Sequence, residues 1–321
     1  LHWRKLSWAV EVLAMNNGIK QLVILSGKGG TGKTCVTAAL AHLASANNPP
    51  VSIVLADADV DAANLELLLR PRVLESQDFQ GGQVARINED DCLGCGDCAA
   101  VCRFEALKIN NGTYRVDPIA CDGCAACVFQ CPEEAIVMRE QIVGQWFRSD
   151  SRYGPLFHAA LRPAQDNSGK LVTLVKQHAR LLAMDENRHL VLVDGPPGIG
   201  CPVISAASGA DLALIVAEPS TAGVHDMRRV LATTGHFGVP SLVCINKANI
   251  HPSGTIEIEA YCRQHGIRLA GRIPFDTGVI EAMVQGEPVT AYRPDSPASR
   301  ALLAVWERVV VELQEVHHEG V

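Results

Sequence analysis

The sequence predicts an α/β protein with a doubly wound, mostly parallel sheet, interrupted by a small inserted α+β domain. Short apolar runs rich in β-branched residues, such as residues 22–25, 51–55 and 190–193, alternate with helical segments along the chain. A glycine-rich loop joins the first of these strands to a predicted helix over residues 35–46. Eight of the twelve cysteines fall between residues 92 and 131, in two copies of one spacing, which indicates a separate unit.

Length and composition limit the possible functions. The 321 residues, 48% of them hydrophobic, suffice for two domains or for one large domain with an insertion. The formal net charge of −7, without a basic cluster, argues against a nucleic-acid partner. No apolar run approaches the roughly 20 residues needed to span a membrane. The crowded cysteines favour metal binding in a reducing compartment, so we expect a cytoplasmic protein that does not bind membranes.

The domain boundaries follow from changes in composition. Residues 1–14 have mixed charges and a short apolar run, unlike a signal peptide. We expect them to be a non-native or dispensable extension; an extra helix lying on the domain is the alternative. Residues 15–89 and 140–321 are assigned to the main α/β domain, and residues 90–139 to the insert. The segment 141–167 is expected to be loop-like.

The loop at residues 26–34 has the pattern G-x-x-x-x-G-K-[ST], in the strand–loop–helix context of a phosphate-binding loop (P-loop). Its glycines let backbone N–H groups turn inward around phosphate oxygens, and the following helix adds the positive end of its dipole. Gly27, Gly32, Lys33 and Thr34 fill the pattern. Lys33 would reach the outer phosphates and Thr34 would bind Mg²⁺. A glycine-rich turn without a ligand is the alternative.

The variable positions of this loop are also distinctive, because residues 28–34 read K-G-G-T-G-K-T. This string resembles the deviant Walker A loop of the MinD, ParA and nitrogenase-iron-protein class of P-loop ATPases. The resemblance implies ATP as the nucleotide and a homodimer, or a heterodimer with a paralogue, that sandwiches it. Lys28 would then act catalytically on the partner's nucleotide. The residues expected around ATP and Mg²⁺ are Gly27, Gly29, Gly30, Thr31, Gly32, Lys33, Thr34 and Cys35.

Two aspartates follow the strand predicted over residues 51–55, at the end of the strand where open α/β sheets bind ligands. Asp57 and Asp59 begin a segment, residues 57–64, that resembles the first switch of this class and is called the first switch below. By the resemblance, Asp59 orients the attacking water and binds Mg²⁺, with Asp57 beside it as a second catalytic carboxylate. Plain helix capping by these acids is the alternative.

A third aspartate follows the strand predicted over residues 190–193. Asp194 begins the string D-G-P-P-G, which resembles the Walker B motif and second switch of the class; residues 194–200 are called the second switch below. The resemblance implies that Asp194 holds Mg²⁺ through water and that Gly198 offers its N–H to the γ-phosphate. We expect Cys201, just beyond, to be buried behind the second switch.

Two further segments resemble the adenine site of the class. Asn246 and Lys247 follow a strand predicted over residues 242–245, and Pro274 lies in the string I-P-F-D. Asn246 would read both edges of the base.

The last predicted helix, residues 299–316, carries Leu302, Val305, Val309 and Leu313 on one face. MinD proteins end in a membrane-targeting helix with basic flanks. Here the polar face carries glutamates, which an anionic membrane would repel. We therefore expect the stripe to pack in the core.

The clustered cysteines form two copies of C-x2-C-x2-C-x3-C, with a hairpin predicted over residues 107–116 between them. This arrangement resembles a bacterial ferredoxin with two [4Fe–4S] clusters, in which the fourth cysteine of each copy crosses to the other cluster. Cluster I would use Cys92, Cys95, Cys98 and Cys131. Cluster II would use Cys102, Cys121, Cys124 and Cys127. Zinc or disulfides are the alternatives.

Together the motifs resemble MinD-superfamily ATPases that carry an inserted ferredoxin domain. The leading hypothesis is an ATPase that couples nucleotide-driven dimer and switch changes to electron transfer through the two clusters, with a redox partner protein. The first alternative is an iron–sulfur carrier ATPase of the Mrp type. Those carriers have an additional C-x-x-C, whereas the four remaining cysteines here are isolated: Cys35, Cys201, Cys244 and Cys262. The second alternative is a spatial regulator like MinD or ParA that senses redox state.

Overall fold

The structure is a computed structural model that describes residues 18–162 and 168–315; the expected extension, residues 1–14, lies outside them. The chain divides into two compact units. Counted over the described residues, the first unit comprises residues 18–76, 146–160 and 168–315. The second unit comprises residues 77–145 and 161–162, and it contains the eight clustered cysteines.

The described strands and helices are named in chain order. They are β1 (Lys20–Ser26), α1 (Lys33–Ala46), β2 (Ile53–Asp57), α2 (Leu65–Leu69), β3 (Arg72–Ile87), α3 (Asp97–Val101), β4 (Leu107–Asn110), β5 (Thr113–Val116), α4 (Ala126–Gln130), β6 (Ile136–Ser151), β7 (Gly154–Leu161), α5 (Ser168–Asp185), β8 (Leu190–Pro197), α6 (Cys201–Ala207), β9 (Leu212–Ala217), α7 (Thr221–His236), β10 (Ser241–Asn246), α8 (Pro252–Gln264), β11 (Arg268–Ile273), α9 (Thr277–Val284), α10 (Val289–Tyr292) and α11 (Pro297–Glu315).

The main sheet has the strand order β11-β10-β9-β1-β8-β2-β7-β6-β3. Every neighbouring pair from β11 to β7 is parallel. β6 and β7 are joined by two residues and must be antiparallel, because a parallel pair needs a long crossover. The predicted α/β fold with a mostly parallel sheet is confirmed. The carboxyl ends of β1, β2 and β8 therefore meet at one edge of the sheet.

The central strands are buried along nearly their whole length. A strand buried on both faces must be apolar on both sides, which explains the continuous apolar runs in the sequence. The stripe on α11 is also buried, with Leu302, Val305, Val309 and Leu313 each at most 3% exposed. The prediction that this helix belongs to the core is confirmed. Among the described residues, no helix is both long and apolar enough to cross a bilayer.

The expectation of a loop over residues 141–167 is wrong for the described part of that segment. β6 and β7 occupy it, and inward-facing residues such as Trp146 and Leu156 are buried. Two of the inward positions are polar, Ser149 and His158, and their side chains hydrogen-bond to each other. That pair interrupts the apolar alternation by which a strand is recognised in a sequence.

The second unit contains a small two-stranded sheet between its two short helices. β4 and β5 pair antiparallel, with Ile109 opposite Tyr114. The turn residues Asn111 and Gly112 both have positive φ, 50° and 86°, as the tightest hairpin turns require. The hairpin predicted from the Asn-Gly dipeptide is confirmed.

Shortening a buried side chain of α11 tests this packing. Leu302→Ala should lower the free energy of unfolding by about 2–5 kcal/mol, because it leaves a cavity in a close-packed core. Glu307→Ala, at an exposed position of the same helix, should change it by less than about 0.5 kcal/mol. Urea unfolding followed by circular dichroism measures both. Equal effects would contradict the burial of the Leu302 face.

Candidate functional site

The P-loop is held in place by two close backbone approaches. Gly32 caps α1 in the left-handed region at φ 97°, and a Cβ there would collide with the side-chain amide of Asn246. A Cβ on Gly27 would collide with Asp226 of α7. Glycine is required at both positions, because any side chain would push the loop away from β10 or α7.

A large open cleft lies beside this loop in the first unit. Its lining includes ten residues expected around the nucleotide: Gly29, Gly30, Gly32, Lys33, Thr34, Cys35, Asp59, Asn246, Lys247 and Pro274. The lining also includes apolar side chains: Leu67, Leu68, Val279, Ile280 and Met283. The cleft therefore offers both a glycine-rich, charged surface and apolar surface to a ligand. Six expected residues are not part of its lining: Gly27, Lys28, Thr31, Asp57, Asp194 and Gly198.

Asp194 lies beneath the P-loop and is 1% exposed. Its Oδ1 accepts a hydrogen bond of 2.8 Å from the hydroxyl of Thr37, and the Thr34 hydroxyl also bonds to it. Burial raises the pKa of Asp194, although both hydroxyls and Lys33 oppose the shift. Sequence reasoning missed Thr37; its only signal is a hydroxyl residue one helical turn after Lys33.

The two aspartates of the first switch have different surroundings. Asp57 has no exposed surface, and its carboxylate accepts the backbone N–H of Asp59 at 3.2 Å and of Leu65 at 3.0 Å. Burial, and next the neighbouring Asp194, raise the pKa of Asp57 well above its usual value. Asp59 lines the cleft, and burial raises its pKa to about 6 against the effect of Lys33. Asp57 thus holds the backbone of the first switch, while Asp59 faces the cleft.

The backbone N–H of Gly198, which is expected to face the γ-phosphate, has a hydrogen-bond acceptor within the protein. It donates to the carbonyl of Ser26, at the end of β1, at 2.9 Å. In this conformation it is not free to meet a phosphate. Gly198 has φ 97°, a left-handed backbone conformation that favours glycine at this position.

Asn246 is also engaged within the protein. Its Nδ2 donates to the carbonyl of Thr31 in the P-loop at 2.6 Å, and its Oδ1 accepts the N–H of Lys247 at 3.0 Å. The side chain therefore lies in the cleft, as expected, but its amide fastens β10 to the P-loop instead of standing free for a base.

Lys28 pairs with an acid that the sequence analysis did not single out. Its Nζ lies 2.9 Å from Glu218, at the carboxyl end of β9, and 3.4 Å from the hydroxyl of Ser220. Lys247 reaches the other oxygen of Glu218 at 3.4 Å. Burial works against ionisation of Glu218, but the two lysines outweigh it and lower its pKa. The position of Glu218, just after an apolar strand, is the signal that could have identified it.

Two isolated cysteines behave differently from each other. Cys35 lines the cleft with its Sγ 3.4 Å from Met283 Sδ, and burial raises its pKa to about 11, so its thiol is neutral. Cys201 is exposed. The expectation that Cys201 is buried is wrong, because it is the exposed first residue of α6, whereas burial on this helix begins with Val203.

The eight cysteines of the second unit line two small, partly open cavities, four cysteines to each. One is lined by Cys92, Cys95, Cys98 and Cys131. The other is lined by Cys102, Cys121, Cys124 and Cys127. Each cavity thus combines three cysteines of one sequence repeat with the last cysteine of the other repeat.

Residues 22–289 match the model of the CobQ/CobB/MinD/ParA nucleotide binding domain family. The chain belongs to this family. With its P-loop and parallel sheet, it is a P-loop ATPase of the MinD/ParA type. It is 35% identical to an uncharacterized protein of Methanocaldococcus jannaschii, MJ0578, over 233 residues that make up 73% of this chain and 80% of that protein.

Two more distant similarities are informative. The iron–sulfur cluster carrier protein of Aquifex aeolicus is 25% identical over 131 residues, 37% of this chain and 36% of that protein. The septum site-determining protein MinD of Pyrococcus horikoshii, complexed with Mg-ADP, superposes with a TM-score of 0.54 at 18% identity, over 91% of this chain and 96% of that chain. At that identity the likeness shows the shared fold alone.

Thr37 can be tested as the residue that orients Asp194. Thr37→Val keeps the shape but removes the hydroxyl, so the Mg²⁺ concentration needed for half-maximal ATP binding should rise about five- to tenfold, or about 1 kcal/mol. Thr37→Ser restores the hydroxyl and should behave like the wild type. Titration with a fluorescent ATP analogue at graded Mg²⁺ measures this. Equal Mg²⁺ dependence in the Val and Ser variants would contradict the role.

Proposed function

We propose that the protein binds and hydrolyses ATP and that nucleotide-driven changes of its dimer and switches control electron transfer through two [4Fe–4S] clusters. The observation that carries the proposal is the pair of cysteine-lined cavities in the second unit. Each cavity is lined by the four cysteines of one predicted ligand set. Three of them belong to one sequence repeat, and the fourth is the last cysteine of the other repeat. Such crossed sets are typical of ferredoxins with two clusters.

The chemistry of the two cavities supports iron–sulfur clusters over the alternatives. All eight cysteines are free of disulfides. Each cavity also takes its fourth cysteine from the other sequence repeat, a crossover that paired C-x2-C zinc sites do not need. Bound clusters would supply one-electron redox chemistry.

The first unit supplies the groups that ATP hydrolysis needs. The P-loop N–H groups and Lys33 would bind the phosphates, while Thr34, Asp59 and Asp194 would hold Mg²⁺. Asp59 would orient the attacking water, because its carboxylate faces the cleft whereas that of Asp57 is occupied by backbone N–H groups. Lys28 would complete the site of a partner subunit after leaving Glu218.

The chain connectivity supports coupling between ATP and the clusters. The cysteine-rich segment interrupts the polypeptide between the first and second switches. The chain then returns along β7, which pairs with β2 at Leu55–Leu156 and Ala56–Phe157. Ala56 directly precedes Asp57, so a strand leading back from the insert is bonded to the strand that ends in the first switch. A change in nucleotide state at such a switch is a common way to move an attached segment.

A second candidate function is iron–sulfur cluster delivery. It is favoured by the similarity to the cluster carrier protein of Aquifex aeolicus, and in this case a cluster would leave the protein instead of passing electrons. A MinD-like role in spatial regulation is the further alternative, and the likeness to the MinD structure supports it by fold alone. The test is whether ATP, and not ADP, changes the reduction rate of the clusters. Transfer of iron to an apo-protein without such a change would favour the carrier role.

The ligand sets predict the iron content. Anaerobically purified protein should contain close to eight irons and eight sulfides per chain, two clusters of four. Cys102→Ser should disturb the cluster held mainly by Cys121, Cys124 and Cys127 and leave the other intact, because the fourth ligand crosses over. Iron analysis and electron paramagnetic resonance measure this. Cys201→Ser is the matched control and should retain all the iron; one zinc per chain without charge-transfer absorption would refute the assignment.

The two lysines of the P-loop should have separable roles. Lys28→Ala should retain ATP binding but lose hydrolysis, because its ammonium acts on the partner's nucleotide. Lys33→Ala should lose both, because Lys33 binds the phosphates within its own subunit. ATPase assays and equilibrium binding separate the two. Hydrolysis per chain that stays constant on dilution far below the dimer dissociation range would contradict action across a dimer.

A further inference from the structure

A polar chain of three side chains, two of them buried and the third, Glu66, 45% exposed, lies beside α2 and outside the groups assigned to ATP. Ser149 of β6 and His158 of β7 are 2.9 Å apart, from Oγ to Nε2. On the other side of the imidazole, Nδ1 faces a carboxylate oxygen of Glu66 in α2 at 3.6 Å. Ser149 has no exposed surface and His158 is 5% exposed. The ring of Phe147 stacks on the imidazole with centroids 5.0 Å apart, so the ring is fixed in this orientation.

Burial lowers the pKa of His158, with Glu66 opposing the shift, so the neutral imidazole is favoured near pH 7. The Ser149 hydroxyl can donate to Nε2 or accept from it, so either neutral tautomer keeps the contact with Ser149. A serine, a histidine and a glutamate in this order are known from hydrolases, but no substrate can reach a hydroxyl without exposed surface.

The two ends of this chain lie on elements with different roles. Glu66 is the second residue of α2, and the first, Leu65, donates its N–H to Asp57 of the first switch. Ser149 lies near the end of β6, a continuous strand from Ile136 to Ser151 that begins shortly after Cys131. His158 therefore connects the helix fastened to the first switch with the strand that leads back from the cysteine-rich segment.

We propose that His158 is a positioning residue that transmits the nucleotide state of the first switch to β6. When ATP and Mg²⁺ draw in the first switch, the bond from Leu65 to Asp57 moves α2, and Glu66 shifts against His158. The rigid, buried imidazole passes this shift through Ser149 to β6. The purpose of this movement, control of electron transfer, rests on the proposed function. The movement itself requires no electron transfer.

Hydrogen exchange measured by mass spectrometry tests the link in the full-length, cluster-loaded protein. In the wild type, ATP with Mg²⁺ should slow exchange at residues 26–40 and change it at residues 136–151 by at least about twofold, the lower range of measured coupling. His158→Leu should keep the protection at residues 26–40 and lose the change at residues 136–151. His158→Gln retains hydrogen-bonding groups and should keep part of the change at residues 136–151.

Two more variants keep the test decisive. Ser149→Ala removes only a hydroxyl and should also lose the ATP-dependent change in exchange at residues 136–151. This variant replaces His158→Leu in the test if His158→Leu does not fold. Ser151→Ala is the matched control, because its hydroxyl bonds to the carbonyl of Gly154 and not to His158. The proposal would be overturned if ATP does not change exchange over residues 136–151 in the wild type. It would also be overturned if ATP still changes it in the Ser149 and His158 variants. An exchange response without any ATP effect on cluster reduction would instead refute the electron-transfer function and leave the link standing.

Discussion

Two buried carboxylates at the ends of neighbouring parallel strands are the constraint on which the rest of the site depends. Asp57 and Asp194 are partners in the register of β2 and β8 and have almost no exposed surface. Burial raises the pKa of both carboxylates, so they can hold negative charge only where donors and a cation surround them. Leu65 supplies a backbone N–H, Thr37 a hydroxyl and Lys33 an ammonium group that acts on both carboxylates. The positions of the P-loop, the first switch and α1 all follow from this need.

In the described conformation, several groups with proposed phosphate or base contacts bond to the protein itself. Lys28 pairs with Glu218, the Gly198 N–H donates to Ser26, and the Asn246 amide donates to Thr31. A hydrogen bond of this kind contributes about 0.5–1.5 kcal/mol net, which a triphosphate or a partner subunit can replace. ATP would therefore exchange one set of contacts for another, and the switches would move as a consequence.

The second unit depends on its cysteines in another way. Among the described residues, the hydrophobic cluster around its two cavities has four buried members, and two of them, Cys98 and Cys127, are cysteines. A segment this small has little apolar surface to bury and ordinarily needs a metal or disulfides to fold. Burial raises the pKa of Cys98 and Cys127, so these thiols favour the neutral form until a positively charged group is bound. The same ligands that would carry redox function would also hold the unit together.

Features that depend on spacing along the chain were determined by the sequence itself. The parallel sheet, the hairpin at Asn111–Gly112 and the buried stripe of α11 follow from local periodicity and turn chemistry, and the structure agrees with each of them. The nucleotide and cluster roles of the motif residues also come from spacing and stay predictions. Tertiary structure alone decided the contacts of Thr37 and Glu218 and the exposure of Cys201. Tertiary structure also revealed the two strands that carry Ser149 and His158. A buried polar pair can be recognised only when the two strands have come together.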